Sequence, residues 1–271
     1  MNGRLVVCPT PIGNLEDVTL RVLSALREAD VVACEDTRRT RILLDRYGVK
    51  ARLVSYHEHN EHARSSELVE RMRDGAVVAL VSDAGMPLVS DPGYVLVGAC
   101  VGAGLPVEVL PGPSAAITAL VASGLPADEW VFHGFLPRKK GELRRVLESA
   151  VTTLVAFESP RRVPATLAAL ASLDPCRELA VCRELTKAHE EIVRGSAAEL
   201  AARYAEAPPR GEVVLVLGPR SDSAGEDEPA GLDALRRLVD AGAHPRKAAG
   251  VVAELTGGSA NALYRGLTAG D

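Results

Sequence analysis

The chain has 271 residues, 47% of them hydrophobic and 25% charged, with a formal net charge of −5. These are globular values for one large or two medium domains, and the acidic balance excludes nucleic-acid binding driven by overall charge while leaving a local basic groove open. No apolar run approaches the roughly 20 residues needed to span a bilayer, and the opening MNGRLVVCPT enters a strand too soon for a signal peptide, so a cytosolic protein is expected.

Short aliphatic runs come first: RLVVCP, DVVACE, ARLVSYH, AVVALVSD and LPVEVLPG, separated by segments with helical spacing such as Leu20, Leu23 and Leu26. This is the β-α-β-α rhythm of an open, mostly parallel sheet, ending near Gly112. Residues 77–81 are apolar at every position, as a strand covered on both faces requires. Its carboxyl end, where ligands of such sheets bind, runs into SDAGMPLVSDPG, in which Asp91 and Pro92 predict the N-cap and first residue of the next helix.

Wider-spaced strands follow, EWVFHGF, TTLVAFES, ELAVCREL, EEIVRG and GEVVLVLG, which predict a mixed sheet in a second domain. Ser196 and Glu199 form a capping box for a helix running to about Ala205. The predicted organisation is an α/β domain over residues 1–112, a second over 113–218, a polar linker over 219–230, and a helical tail over 231–271. The tail reads as three short helices broken at residues 242–245 and at Gly257 and Gly258, compatible with a helix-turn-helix or with a tail packed on the main body.

Five cysteines without a C-x-x-C pair predict reduced core thiols rather than a disulfide frame or a zinc site. Phosphate-binding G-x-x-x-x-G-K-[ST], dinucleotide-binding G-x-G-x-x-G and the hydrolase elbow G-x-S-x-G are all missing. Instead three Pro-Gly loops, PTPIGNLEDVT, SDAGMPLVSDPG and PGPSAA, stand at strand ends, where together they would build a cleft of closely approachable backbone. In SYHEHNEH, His57 and His59 would share one strand face, but nothing completes a metal-ligand set, so a polar loop facing substrate is expected and no metal. Basic clusters stand at Arg38, Arg39 and Arg41, at Arg138 to Arg145, at Arg161 and Arg162, and at Arg246 and Lys247. Each alone reads as a solvated face, and their number keeps a phosphate-rich partner open.

Seven ordered stretches, from PTPIGNLEDVT through LVSYHEHNE, VSDAGMPLVSDPG, LPGPSAAITAL, GFLPRKKGE and FESPRR to RELTKAHEE, resemble the ribosomal RNA small subunit methyltransferase I family. That family is a branch of the tetrapyrrole-methylase, or class III S-adenosylmethionine-dependent, methyltransferases. The resemblance covers essentially the whole chain and implies two α/β domains meeting across a cleft, with a small C-terminal helical module and a homodimer. It further implies methylation of a cytidine ribose 2′-hydroxyl in the decoding region of small-subunit 16S ribosomal RNA, with free RNA or the assembled subunit as partner and no membrane.

On the same resemblance, S-adenosyl-L-methionine would be held by Ala84, Gly85, Met86 and Pro87, with Pro11, Ser114 and Ala115 in the same pocket. Phe157, Leu185, Thr186 and the end of EVVLVLG would approach the adenine, core packing being the rival role for Phe157 and Leu185. A proton acceptor is sought among Glu16, Asp17, Glu35 and Asp36, against the alternative that Asp17 caps a helix and Glu35 pairs with Arg38. RNA phosphates would meet Arg38, Arg39, Arg138, Lys139, Lys140, Arg161, Arg162 and Lys187. Two rivals remain: a tetrapyrrole C-methylase of the same fold, and a non-catalytic RNA-binding assembly factor.

Overall fold

The five leading aliphatic runs form a parallel sheet from β1 (Arg4–Val7), β2 (Val31–Cys34), β3 (Leu53–Ser55), β4 (Val77–Val81) and β5 (Val107–Val109), in the order β3-β2-β4-β1-β5. The computed structural model describes residues 3–220, 228–256 and 260–268. Alternate residues of the central strands go to opposite faces, as the two-residue period of a strand demands. Val6, Val32, Ala79 and Val81 meet Val22, Leu23 and Leu26 of α1 (Leu20–Glu28) and Leu44 of α2 (Thr37–Arg46). Leu5, Val7, Val78 and Leu80 meet Leu68 and Met72 of α3 (Glu61–Arg73) and Leu96 of α4 (Tyr94–Gly102). With both faces covered, the carboxyl edge of the sheet is the place left for a ligand.

The second sheet comprises β6 (Trp130–Phe135), β7 (Thr153–Glu158), β8 (Glu178–Arg183), β9 (Glu191–Ser196) and β10 (Val213–Leu217), in the order β6-β7-β10-β8-β9. Only β6 and β7 run parallel; the remaining pairs are antiparallel. One face carries α6 (Lys140–Ser149), α7 (Val163–Leu173) and α8 (Ala197–Tyr204), through Leu143, Leu147, Leu167, Leu170 and Leu200. On the other lies α5 (Ala115–Ser123), whose Ala116, Ala119 and Leu120 pack on Val155, Ala180 and Val216 together with Ile12 from the first loop. Arg177, 1% exposed, has its guanidinium spent on main-chain carbonyls, donating to Gly218, Leu147 and Ala150. The bonds to Leu147 and Ala150 satisfy carbonyls at the end of α6 that have no partner within the helix. Ser196 and Glu199 form the capping box that opens α8.

Both sheets lie in one compact unit, Met1–Pro219, and the rest of the chain forms another, Arg220–Asp271. The described residues of the latter form three helices, α9 (Glu228–Asp240), α10 (Pro245–Thr256) and α11 (Ala260–Thr268), around Leu235, Ala249, Val252 and Leu263. Among the described residues, no helix is long and apolar enough to cross a membrane.

Local expectations differ from the structure at five places. Helix α9 begins at Glu228, inside the stretch read as linker; residues 221–227 of that stretch, and the break at Gly257 and Gly258, lie outside the described residues. Helix α4 begins at Tyr94 with Gly93 as its cap at φ +139°, so Asp91 is not the N-cap. Strand β3 ends at Ser55, which puts His57 and His59 in a turn, rings edge to face at 5.9 Å, rather than on one strand face. Thr19 caps α1 by accepting from Val22 N, so Asp17 is free of that task. Four cysteines are buried, but Cys176 is exposed.

Candidate functional site

The three Pro-Gly loops converge at the carboxyl edge of the parallel sheet. Thr10 of the first loop and Gly85 of the second exchange main-chain hydrogen bonds, both 2.9 Å. The Thr10 hydroxyl donates to Ser82 O at 3.1 Å, and the Ser82 hydroxyl to Gly85 O at 3.0 Å. Gly85 has φ +80°, a left-handed conformation that glycine adopts without strain. The third loop closes on the first: a Cβ at Gly112 would stand 2.5 Å from Pro9 Cγ.

These loops and the second sheet enclose a cavity of about 420 Å³. Ala84, Gly85, Met86, Ser114 and Ala115 form one wall; Phe157, Leu185 and Val214 belong to the other. Phe157 stands edge to face against Phe132 and Phe135, with ring centroids 5.0 and 5.5 Å away. A cavity of this size, apolar with a few convergent polar groups, suits a small organic ligand. The adenine and amino-acid parts of a nucleoside-derived donor fit that mixture: aliphatic and aromatic surface for a ring, and the close main chain of Ala84, Gly85 and Met86 for polar ends.

The first loop reaches across to the second sheet. Asn14 N donates to Thr186 Oγ1 at 3.0 Å, and a Cβ on Gly13 would lie 2.5 Å from the Lys187 side chain. Behind this contact Lys187 Nζ donates to Glu184 at 2.8 Å and to Glu212 at 2.9 Å. Glu184 and Thr186 hold positive φ, +51° and +64°, so the loop is strained and depends on these bonds to keep its shape.

Of the residues expected to hold the cofactor, Ala84, Gly85, Met86, Ser114, Ala115, Phe157 and Leu185 line the cavity together. Pro11, Pro87 and Thr186 are outside its wall, Thr186 being the acceptor for Asn14. The start of EVVLVLG, Glu212 to Val214, lines the cavity, and not its end as expected. The physical reason is strand direction: β10 runs antiparallel to β7, so its first residue, Val213, pairs with Glu158 at the end of β7.

The four candidate acids are dispersed. Glu16 and Asp17 are exposed on a 3-10 turn, and Glu16 lies 3.8 Å from Arg46. Asp36 caps α2, and Arg38, bonded at 2.7 Å, holds its carboxyl down at about 2. Arg38 therefore pairs with Asp36, and the expected Glu35–Arg38 pairing is not formed. The Glu35 carboxyl is pushed up, chiefly by burial and then by the charges of Asp83 and Glu58. Asp83 accepts from Asp36 N at 2.9 Å and lies 3.6 Å from Arg39.

Two expected phosphate contacts are engaged inside the protein. Arg162 donates to Leu136 O and Pro137 O and pairs at 3.3 Å with Glu158, whose side chain is fully buried. Lys187 is held by its two glutamates. Arg138, Lys140 and Arg161 are exposed, and Lys139 is exposed with Glu142 at 3.2 Å.

Sequence reasoning assigned no role in this cavity to Ile12, Phe135, Glu158 or Asp91, which the structure puts in its wall. Each stood in a quoted loop motif, but only the fold reveals which side chain turns inward. Asp91 is the consequential one. Burial, then the nearby charge of Glu35, pushes its carboxyl up to about 6.

The family model for tetrapyrrole (corrin/porphyrin) methylases matches residues 4–201. The ribosomal RNA small subunit methyltransferase I of Mesorhizobium japonicum is 49% identical over 97% of this chain and 90% of its own length. Its namesake from Thermotoga maritima is 44% identical, over 79% of this chain and 98% of its own. The uroporphyrin III C-methyl transferase of Thermus thermophilus, solved with S-adenyl homocysteine, shares the fold at TM-score 0.56 and 23% identity, over 80% of this chain and 97% of that one. The chain belongs to the tetrapyrrole methylase family and is a methyltransferase.

Proposed function

We propose that this chain methylates small-subunit ribosomal RNA, transferring a methyl group from S-adenosyl-L-methionine to the 2′-hydroxyl of a cytidine ribose in the decoding region. The observation that carries the reading is the 49% identity, over nearly the whole chain, to a protein named for small-subunit ribosomal RNA. The corrin and porphyrin reading rests on the broad description of the family model and on fold neighbours such as the one at 23% identity.

The bound donor supplies a methyl group already activated by a sulfonium leaving group. The protein's part is to hold that donor, align the ribose oxygen and accept one proton. Main chain at Ala84, Gly85 and Met86 and the side chain of Ser114 would hold its polar parts, and Phe157 and Leu185 its ring. Arg138, Lys139, Lys140 and Arg161 follow closely on the wall residues Phe135 and Pro160, so RNA phosphates at these loops would lie beside the cavity mouth. Arg38 and Arg39 serve the same purpose at the edge formed by β2 and α2.

The working form is a homodimer in the cytoplasm. Its support is a run of exposed apolar side chains between residues 94 and 135: Tyr94 and Val101 on α4, Ile117 and Val121 on α5, and Val109 and Phe135 on the edge strands β5 and β6. Large apolar side chains left exposed in this way suit a surface that a second copy covers.

The deciding experiment is transfer of radiolabelled methyl to small ribosomal subunits from cells lacking the gene, with a tetrapyrrole precursor in parallel. Label recovered as 2′-O-methylcytidine is the expected result. Label on the tetrapyrrole, or RNA binding without any label, would replace the reading with one of its rivals.

A further inference from the structure

We infer that the C-terminal helical unit is a second holding surface for the RNA substrate, with Arg236, Arg237, Arg246 and Lys247 as its phosphate contacts. The inference rests on the ribosomal RNA reading above. Arg236 and Arg237 stand near the end of α9, Arg246 and Lys247 in the first turn of α10, and all four are exposed. Between them the chain turns at Gly242, φ +91°, where Gly242 N donates to Val239 O and Ala243 N to Leu238 O, both at 2.9 Å. The turn is tight, so the four cations share one corner of the unit.

These cations are unspent, unlike several on the helices of the larger unit. There Arg71 pairs with Glu67, Arg73 with Glu70 and Arg144 with Glu148, as carboxylates three or four positions away allow. Asp233 and Asp240 offer Arg236 and Arg237 the same spacing, yet among the described residues none of the four corner cations pairs with a carboxylate. Arg246 lies over the Tyr264 ring of α11, 5.3 Å from its centroid, a contact that steadies the guanidinium and uses its face rather than its N–H groups. A cation of this kind gives up no existing pair when it meets a phosphate, whereas a paired one must.

The unit also stands apart from the transfer chemistry. The family model ends at residue 201, and the cavity wall belongs wholly to the larger unit. The Thermotoga maritima relative is matched over 98% of its length by 79% of this chain, so it does without a segment of about this size. A part that such a relative lacks is suited to adding affinity rather than catalysis. Joined to the first RNA-holding surface by the chain, it would engage a second stretch of backbone at a high effective concentration.

The test uses the full chain carrying Arg236→Gln, Arg237→Gln and Lys247→Gln together, which leaves Arg246 on its ring. A control carries Arg71→Gln, Arg73→Gln and Arg144→Gln, removing the same charge from paired positions. Binding to small ribosomal subunits from cells lacking the gene is titrated from about 50 to 200 mM salt. The corner variant should lose about two from the slope of log affinity against log salt and bind roughly 10–100-fold more weakly at the lower end. The control should keep the wild-type slope. In methyl transfer the corner variant should raise KM for subunits at unchanged kcat, and S-adenosylhomocysteine affinity by calorimetry should not move. A corner variant with the wild-type slope, or one whose loss the control matches, overturns the proposal. So does a lowered melting temperature with RNA binding unchanged, which would mean that the corner packs inside the protein. Wild type that labels a tetrapyrrole and leaves small subunits unbound overturns the ribosomal reading first, and this assignment with it.

Discussion

Thr10 and Gly85 are joined by a reciprocal pair of main-chain hydrogen bonds, each 2.9 Å, although 75 positions separate them in the chain (85 − 10). The pair locks the first loop to the second, and so fixes the floor of the cavity before any ligand arrives. Gly85 holds φ +80° there, and a Cβ would come within 3.3 Å of Ile12. Left-handed backbone costs other residues about 1–2 kcal/mol. Gly85→Ala should therefore weaken S-adenosylhomocysteine binding by about tenfold in calorimetry, and Gly85→Asn by less, because asparagine tolerates this conformation. Equal affinities for all three proteins would mean that the bridge does not shape the site.

Arg161 and Arg162 are neighbours with opposite roles. Arg162→Ala strands the buried Glu158 carboxylate, and should cost about 3 kcal/mol of unfolding free energy in urea titrations. Arg161→Ala should leave stability alone and reduce the slope of log affinity against log salt for subunit RNA by about one. An Arg162 variant of normal stability with a reduced salt slope would reverse the assignment.

The raised carboxyl of Asp91 should cost stability at neutral pH. Its folded value of about 6 lies above the ordinary 3.8, so the folded state binds the proton more tightly than the unfolded one. Its favourable contribution is full below the ordinary value and is lost as pH rises through 6. Asp91→Asn should accordingly be more stable than wild type at pH 8, by about 1–2 kcal/mol once partial exposure is allowed for, and equal to it near pH 4. Thermal melts at the two pH values check both the sign and the window.

Lys187 holds Glu184 and Glu212 together at 2.8 and 2.9 Å. Its hydrogen bond draws the Glu184 carboxyl below the ordinary 4.5, so the stability it confers is present above that value and lost as pH falls below it. Lys187→Met should lower stability at pH 7 by roughly 1–2 kcal/mol and loosen donor binding, with the difference fading as the glutamates become protonated. RNA salt dependence should not move. A changed salt slope with unchanged stability would restore the phosphate role expected from sequence.

The proposed dimer has a direct check. Val121, 74% exposed, is apolar and stands on α5 six positions beyond the wall residue Ala115. Val121→Glu should shift sedimentation from dimer to monomer without unfolding the chain, since a surface charge there disturbs no core. A wild-type protein that sediments as a monomer at micromolar concentration would remove the basis of that arrangement.

Most of the architecture was legible because its signals are local. A residue pattern such as 77–81, apolar throughout, fits a strand with both faces covered, and β4 is buried from Val78 to Val81. Ser196 and Glu199 announced α8 because a capping box satisfies its own helix end within four residues. Seven motifs in order identified the family, and most residues expected around its cofactor line one cavity.

What the sequence could not determine was direction and pairing over long distances. Which end of GEVVLVLG meets the cavity depends on β10 running antiparallel to β7, and nothing within the strand encodes that. Whether Arg162 or Lys187 faces solvent depends on carboxylates that the fold brings against them, Glu158 from the end of β7 and Glu212 from the start of β10. Asp91 looked like a helix cap because aspartate before proline commonly is one. Gly93 took the cap instead, at a φ of +139° that other residues rarely adopt, and Asp91 was left in the cavity wall beside Ser82. Local chemistry chose the elements; burial and charge, which exist only once the chain has closed on itself, chose which side chains face the cavity and which are spent on partners inside the protein.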